Sequence, residues 1–222
     1  MNLAGPTLTN AQIVANGDLN FSAGAIRDTK VNGPAVFVDG GHMTMNGSAE
    51  FTGNSVAGAS GTLAPDSLRA NEFSPITVYN GTFDLTGGVL QGNSGYRLGG
   101  AVGVWGNKDA PAKENLSGGV ITENTVSHPR YNGLGGGIFT DHADVVLDGT
   151  TISKNATEYG GGMTVFNGTL TMKSGAVESN NNGDFDGYGG GVCSKVGPLT
   201  ISCGTISENY SLVRRIRQRP AR

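Results

Sequence analysis

The chain has 222 residues and combines 38 glycines with only 15 % charged and 7 % aromatic residues. No stretch reaches the roughly 18 apolar residues of a membrane helix, so we expect no membrane insertion by this segment. The last twelve residues carry five arginines and no acid, which leaves 10 basic against 18 acidic residues and a net charge of −8 in the rest. Because so acidic a body repels phosphate groups, we expect no nucleic acid among the partners.

Two short motifs recur along the chain and define a repeat. A glycine motif reads LGGA, LGGG, YGGG and YGGG, and an alternating apolar run follows each copy. The second motif is an aliphatic or Phe residue, two variable residues and Asn, and its successive Asn lie 39, 31, 31, 25 and 29 residues apart. These distances fit a unit of about 25 residues with loop insertions. The repeated residues are Asn54, Asn93, Asn124, Asn155, Asn180 and Asn209.

Three segments follow one another along the chain. Residues 1–33 predict a degenerate first coil or an N-terminal cap, because Ile26–Thr29 keeps only part of the second motif. Residues 34–210 hold the regular repeats, in which apolar residues two positions apart indicate strands with one buried face. Residues 211–222 form a basic tail, which we expect to be disordered or foreign to the repeat, as after truncation of a longer polypeptide. The rival interpretation is a genuine basic arm for a polyanion or anionic lipid.

Strands this short, three to a unit, cannot bury a core unless successive units stack. A solenoid pairs each strand in parallel with its counterpart one coil along, and right-handed crossovers are the usual hand. The sequence therefore predicts an all-β, single-stranded right-handed parallel β-helix of about six to seven coils, with three short strands per coil. We expect the repeated Asn to form a ladder of side-chain amides at a tight turn. Glu114 falls on an inward position, which indicates an alignment shifted by the long loop before it.

Two matches relate the repeat to known surface proteins. Gly99–Val102 (GGAV) and Phe51–Asn54 (FTGN) resemble the paired motifs in the repeat region of polymorphic outer-membrane-protein-type surface proteins, and more broadly the Gly-rich β-helix arrays of large bacterial adhesins. The resemblance covers residues 35–209. It implies a pectin-lyase-like fold, an extracellular or bacterial cell-surface location and a surface role that is commonly adhesion. The start of this chain shows no signal-peptide pattern.

Candidate binding residues lie in the irregular loops rather than in the repeats. One coil combines an aromatic residue with an insertion that carries His, Arg and Tyr, and exposed side chains of these types would bind a glycan or a host surface protein. Ordinary loop variation is the simpler interpretation of this insertion. An Asp-His pair after a later strand, followed by Asp144, would act as a general base or form a metal site, although a solvated loop is the simpler interpretation. The candidate binding residues are Trp105, His128, Arg130, Tyr131, Asp141 and His142.

A metal site and a disulfide are weaker hypotheses. Asp184 and Asp186 would supply oxygen ligands to Ca²⁺, but the spacing of an EF-hand is missing and a polar insertion loop explains them more simply. Apart from this Ca²⁺ hypothesis we expect no cofactor. Cys193 and Cys203 lie ten residues apart, and we favour two free thiols over a disulfide.

The sequence predicts no catalytic residue. In polysaccharide lyases of β-helix architecture, acids and a base lie on the outer face of one sheet, whereas the outward row after the glycines holds neither here. We therefore expect a non-enzymatic module, an adhesin or stalk segment, that binds a host or glycan partner through its insertion loops. The alternatives are a polysaccharide lyase or glycoside hydrolase with a loop-borne site, and a structural spacer without a ligand. The outward row is Phe37, Thr77, Gly103, Phe139, Thr164 and Cys193.

Overall fold

A computed structural model describes residues 1–58, 73–126, 133–183 and 188–211, and these residues form strands in three parallel sheets. The predicted all-β parallel β-helix is confirmed. We name the sheets A, B and C, and the chain visits them in the order A, C, B in each coil. Each strand pairs in parallel with its counterpart in one or both of the adjacent coils. Because those partners are one repeat away in sequence, the periodicity of the sequence is the periodicity of the fold.

Sheet A is built from long strands or from pairs of shorter ones. Its strands are β1 (Asn2–Thr9), β3 (Leu19–Arg27), β6 (His42–Thr52), β9 (Thr82–Leu85), β10 (Val89–Gln91), β13 (Ala112–Leu116), β14 (Val120–Thr122), β17 (Ala143–Ser153), β20 (Thr169–Glu178), β23 (Leu199–Ile201) and β24 (Thr205–Ser207). Of the three strands that the sequence predicts in each unit, two therefore belong to the same sheet, sheet A, where some coils join them into one long strand.

Sheets B and C complete each coil. Sheet B contains β2 (Ile13–Ala15), β5 (Val36–Asp39), β8 (Ile76–Tyr79), β12 (Val102–Trp105), β16 (Ile138–Asp141), β19 (Met163–Phe166) and β22 (Val192–Lys195). Sheet C contains β4 (Lys30–Val31), β7 (Ser55–Val56), β11 (Ser94–Gly95), β15 (Thr125–Val126), β18 (Ala156–Thr157), β21 (Asn181–Asn182) and β25 (Tyr210–Ser211). The two-residue strands of sheet C follow the repeated Asn and are too short to show an alternating pattern.

Inward side chains stack along the axis and form the main core. In sheet A one such row consists of Leu19, Met43, Phe83, Glu114, Val145, Leu170 and Leu199, which are successive parallel partners. Met43 and Phe83 have no solvent-exposed surface. Burying such side chains is the main favourable term in folding, at about 1.5–3 kcal/mol each.

Glu114 occupies its inward position without any shift of alignment. Its strand partners are Phe83 and Val145, and neither carboxylate oxygen has a hydrogen-bond partner. The long loop before β13 is accommodated between sheets B and A instead, so the interpretation of a shifted alignment was wrong. A carboxyl group therefore lies inside the apolar core.

The repeated Asn form a continuous row at the corner between sheets A and C. Each Asn except the last, Asn209, donates its backbone N–H and its side-chain Nδ2–H to the Oδ1 of the Asn one coil further on, at distances of 2.9–3.1 Å. Each Nδ2 also donates to a backbone carbonyl of the preceding coil, as Asn155 does to Ile121 at 3.0 Å. The row satisfies buried polar groups that water cannot reach.

The glycine motifs form the corner between sheets C and B. The N–H of Gly136 donates to the carbonyl of Gly160 at 3.0 Å, which holds neighbouring coils close together. A Cβ on Gly136 would collide with the carbonyl oxygen of Gly161. These glycines therefore serve close approach of backbones rather than a ligand.

The two ends of the described β-helix differ. Eight large apolar residues are exposed within the described residues, and six of them lie in or next to the last coil. At the first end β1 contains Pro6, which has no N–H for a further strand. The edge formed by β22 to β25 is therefore the more apolar one. The six residues are Tyr188, Val196, Leu199, Ile201, Ile206 and Tyr210.

Candidate functional site

The outer face of sheet B is a second hydrophobic cluster. Phe37 and Phe139, which belong to the outward row, are only 3 % and 4 % exposed. Phe73 and Leu98, from the segments that precede β8 and β12, pack on them. The outward row is buried from Phe37 to Thr164, and Cys193 at its end is partly buried. Its lack of acids and bases reflects packing and does not exclude chemistry elsewhere.

A small aromatic cleft opens in this cluster. Its volume is about 200 Å³, and Trp105, Phe139 and Phe166 line it together with Arg97 and Asp141. The ring centroids of Trp105 and Phe139 lie 5.8 Å apart. Trp105 is cross-strand partner of Asp141, so two residues that the sequence assigned to separate loops are neighbours in the fold.

Asp141 and His142 lie at the turn between sheets B and A. His142 has φ of 52°, a left-handed conformation that ends β16 and starts β17. Its Nδ1–H donates to Oδ1 of Asp141 at 2.9 Å, and Nδ2–H of Asn167 donates to the same oxygen at 3.0 Å. Both side chains are about one-third exposed. Asp141, which lines the aromatic cleft, can accept a hydrogen bond from a ligand there.

A larger polar groove lies at the turns between sheets B and A in the preceding coils. Asp18, His42, Thr82 and Lys113 line a cavity of about 330 Å³. These residues occupy four successive rungs at the start of the sheet A strands, because Thr82 is the parallel partner of both His42 and Lys113. At about 4.8 Å per rung the groove spans roughly 14 Å along the axis. We call these four residues the polar groove.

Hydrogen bonds between coils fix the groove. Nε2–H of His42 donates to Oδ2 of Asp84 at 2.5 Å, and Nδ2–H of Asn115 donates to Oδ1 of the same carboxylate at 2.7 Å. The backbone N–H of His42 donates to Oδ1 of Asp18 at 3.0 Å. Each carboxylate is thus held from a neighbouring coil, while the Lys113 side chain stays exposed. A second cavity of about 270 Å³ shares Asp18 and His42 and extends the groove past Thr44.

The predicted binding residues fare differently. Trp105 was expected to be exposed, but it is only 4 % exposed because Phe139 and the segments above sheet B cover it. Asp141 and His142 are partly exposed and adjacent. The remaining predicted residues lie outside the described residues: His128, Arg130, Tyr131, Asp184 and Asp186.

Sequence reasoning missed the polar groove completely. Its members are the residues just before the inward apolar positions of sheet A, so an outward row for that sheet would have included Asp18, His42 and Lys113. Loop insertions of unequal length hide the alignment of these positions. The outward row that the sequence shows most clearly belongs to sheet B, whose outer face is covered.

Other chemistry in the described part of the chain is limited. No three His, Cys, Asp or Glu side chains among the described residues come together to hold a metal. Cys193 and Cys203 are free thiols. Within the same residues no helix is long and apolar enough to cross a membrane.

Comparisons with protein-family models, with curated proteins and with solved structures found no match to this chain.

Proposed function

We propose that the chain is a β-helix module of a secreted or cell-surface protein, an adhesin or stalk segment, that binds a linear carbohydrate in the polar groove. The observation that carries the proposal is the alignment of acid, imidazole, hydroxyl and ammonium groups on four successive rungs. A chain of sugar hydroxyls needs donors and acceptors at short intervals along one line. The groove provides both, and hydrogen bonds between coils hold Asp18 and His42 in place.

The location and the class of module rest on the resemblance of the GGAV and FTGN motifs to those of bacterial surface proteins. The fold is compatible with this role, because a β-helix presents an extended, rigid face. We place the ligand in the polar groove rather than in the aromatic cleft. The cleft is smaller, at about 200 Å³, and Trp105 has little free surface for stacking on a sugar.

The test is glycan-array screening followed by calorimetric titration with the glycans that bind. Asp18→Asn keeps an oxygen that accepts from His42 but removes the charge, and Lys113→Ala removes the ammonium group. Each change should weaken binding about tenfold, which corresponds to one lost charge-assisted hydrogen bond. Lys173→Ala is the matched control, because Lys173 is also an exposed lysine on sheet A but lies outside the groove.

The outcome separates the hypotheses. Binding that is weakened by the groove variants and retained by Lys173→Ala supports the proposal. Binding that all variants retain places the ligand elsewhere, for example in the insertion loops. Failure to bind any glycan or host-cell surface favours a structural spacer.

One observation favours an enzyme as the second candidate. The imidazole of His42 is 48 % exposed and oriented by the carboxylate of Asp84, an arrangement that suits proton transfer. A polysaccharide lyase or hydrolase would use this pair as its acid or base. Incubation with acidic and neutral polysaccharides should then release unsaturated or reducing sugars, and His42→Ala should abolish the release.

A further inference from the structure

The feature that the proposed function leaves unused is the buried carboxyl group of Glu114. We infer that Glu114 is a pH-sensitive lock on β13: the strand stays in place while this carboxyl is neutral and opens when it ionises. Through Lys113 and Asn115 on the same strand, the lock would regulate the polar groove, and this consequence rests on the proposed function.

Among the described residues, no hydrogen bond to the carboxyl oxygens of Glu114 is present to stabilise a charge. Within the described residues the inward side chains of the strands packed around β13 are apolar: Phe83 and Leu85 on β9, Val145 and Leu147 on β17, Val102 and Val104 on β12. No charged or titratable side chain of these strands faces the carboxyl. The charged neighbours Lys113, Asp84 and Asp144 occupy alternate positions and lie on the outer face.

The burial of Glu114 determines in which direction pH changes the stability of the closed state. Burial raises the pKa of Glu114 from 4.5 to about 8. In an open or unfolded coil the carboxyl ionises near its ordinary value, while in the closed coil it keeps its proton. The closed state is therefore favoured most below pH 4.5 and loses stability as the pH rises to about 8.

Opening of β13 would dismantle part of the groove. Lys113 lines the groove, and Asn115 donates to Asp84, which in turn accepts from His42. Glu114 lies between them in sequence and faces inward. A strand that leaves its place takes the ammonium group and the amide away together.

Amide hydrogen exchange measured by mass spectrometry tests the lock without a ligand. After correction for the intrinsic rate, exchange in peptides that cover β13 should rise up to tenfold per pH unit between pH 5 and 8, while peptides from β3 stay protected. Glu114→Gln should remove this pH response. If the Glu114→Gln variant does not fold, Glu114→Leu serves as the second variant. Glu50→Gln, at an exposed acid of sheet A, should retain it.

The same proteins are then titrated at pH 5.5 and 8 with two probes, dextran and alginate. Loss of affinity at high pH in the wild type but not in Glu114→Gln supports regulation of the groove. If exchange responds as expected and neither probe binds, the lock on β13 stands, and dextran and alginate are excluded as ligands of the groove. Exchange in β13 that is independent of pH, or that responds equally in Glu114→Gln, overturns the inference.

Discussion

The backbone N–H and the side-chain amide of Asn124 both donate to a single atom, Oδ1 of Asn155, each at 2.9 Å. Asn155 repeats the arrangement towards Asn180 and also donates to the carbonyl of Ile121. The side chain of Asn155 thus hydrogen-bonds to buried groups in the coil before its own and in the coil after it. Because water has no access there, each of these groups would stay unpaired without it.

Asn155→Ala should therefore destabilise the protein by about 3 kcal/mol or more, since several buried polar groups lose their partners. Urea unfolding followed by circular dichroism measures the change. Asn181→Ala is the control, because Asn181 is exposed and close in sequence to the ladder residue Asn180. Equal stability of the two variants would show that the Asn row is not a stabilising element.

Val196 adopts a backbone conformation that suits a β-branched residue poorly. Its φ is 63°, whereas Asn80 and Asn167 occupy the same turn in other coils with φ of 49°. Val196 is 67 % exposed, so its side chain loses little packing on replacement. Val196→Asn should raise the unfolding free energy by about 1 kcal/mol, because the left-handed region costs a β-branched residue about that much.

A thermal melt of Val196→Asn beside Val196→Ala checks this prediction. Alanine remains disfavoured at positive φ, so it should recover less stability than asparagine. If alanine raised the stability as much as asparagine does, the gain would come from removing the exposed valine side chain and not from relieving backbone strain.

Gly136→Ala should prevent adjacent coils from approaching. The added Cβ meets the backbone carbonyl of Gly161, which cannot move without breaking the sheet contacts. We expect a loss of several kcal/mol or no folded protein, which is at the upper end for single changes. Gly183→Ala, where an added Cβ meets nothing within 4 Å, should fold normally. Soluble yield and the melting temperature of the two variants provide the comparison.

The two thiols should differ in reactivity. Burial raises the pKa of Cys193, an effect that nearby Lys195 partly offsets, and Cys203 is exposed. Because the thiolate is the reactive form, iodoacetamide at pH 8 should label Cys203 several-fold faster. The fast phase should vanish in Cys203→Ser and persist in Cys193→Ser. A single non-reactive species that lacks free thiols would indicate a disulfide instead.

From the buried carboxyl of Glu114 we also predict how the free energy of unfolding of the whole protein depends on pH. With a pKa of about 8 in the folded state and 4.5 as the ordinary value, folding becomes less favourable across that interval, by on the order of 4 kcal/mol at pH 8. Glu114→Gln should lack this component. Denaturant titrations of both proteins at pH 5 and 8 give the two differences, and parallel behaviour would contradict a neutral buried carboxyl.

Most of the fold could be predicted from the sequence, because the sequence is a repeat. Each coil contacts chiefly the coils beside it, so a periodic pattern of apolar residues, Asn and Gly specifies the solenoid without knowledge of distant contacts. The position of Asn155 in its motif shows this: its partners Asn124 and Asn180 are the same residue of the neighbouring units. The two-residue strands of sheet C were not predictable in this way, since alternation needs a longer run.

The polar groove and the buried acid were decided only by the tertiary structure. Asp18, His42, Thr82 and Lys113 are 24, 40 and 31 residues apart, and only strand register shows that these unequal distances place them on successive rungs. Only the structure likewise shows that the outer face of sheet B is covered and that its apolar residues form a buried cluster. The same holds for Glu114. The local sequence pattern predicts that its side chain points inward, but not whether a charged group or a hydrogen-bond donor lies close to its carboxyl.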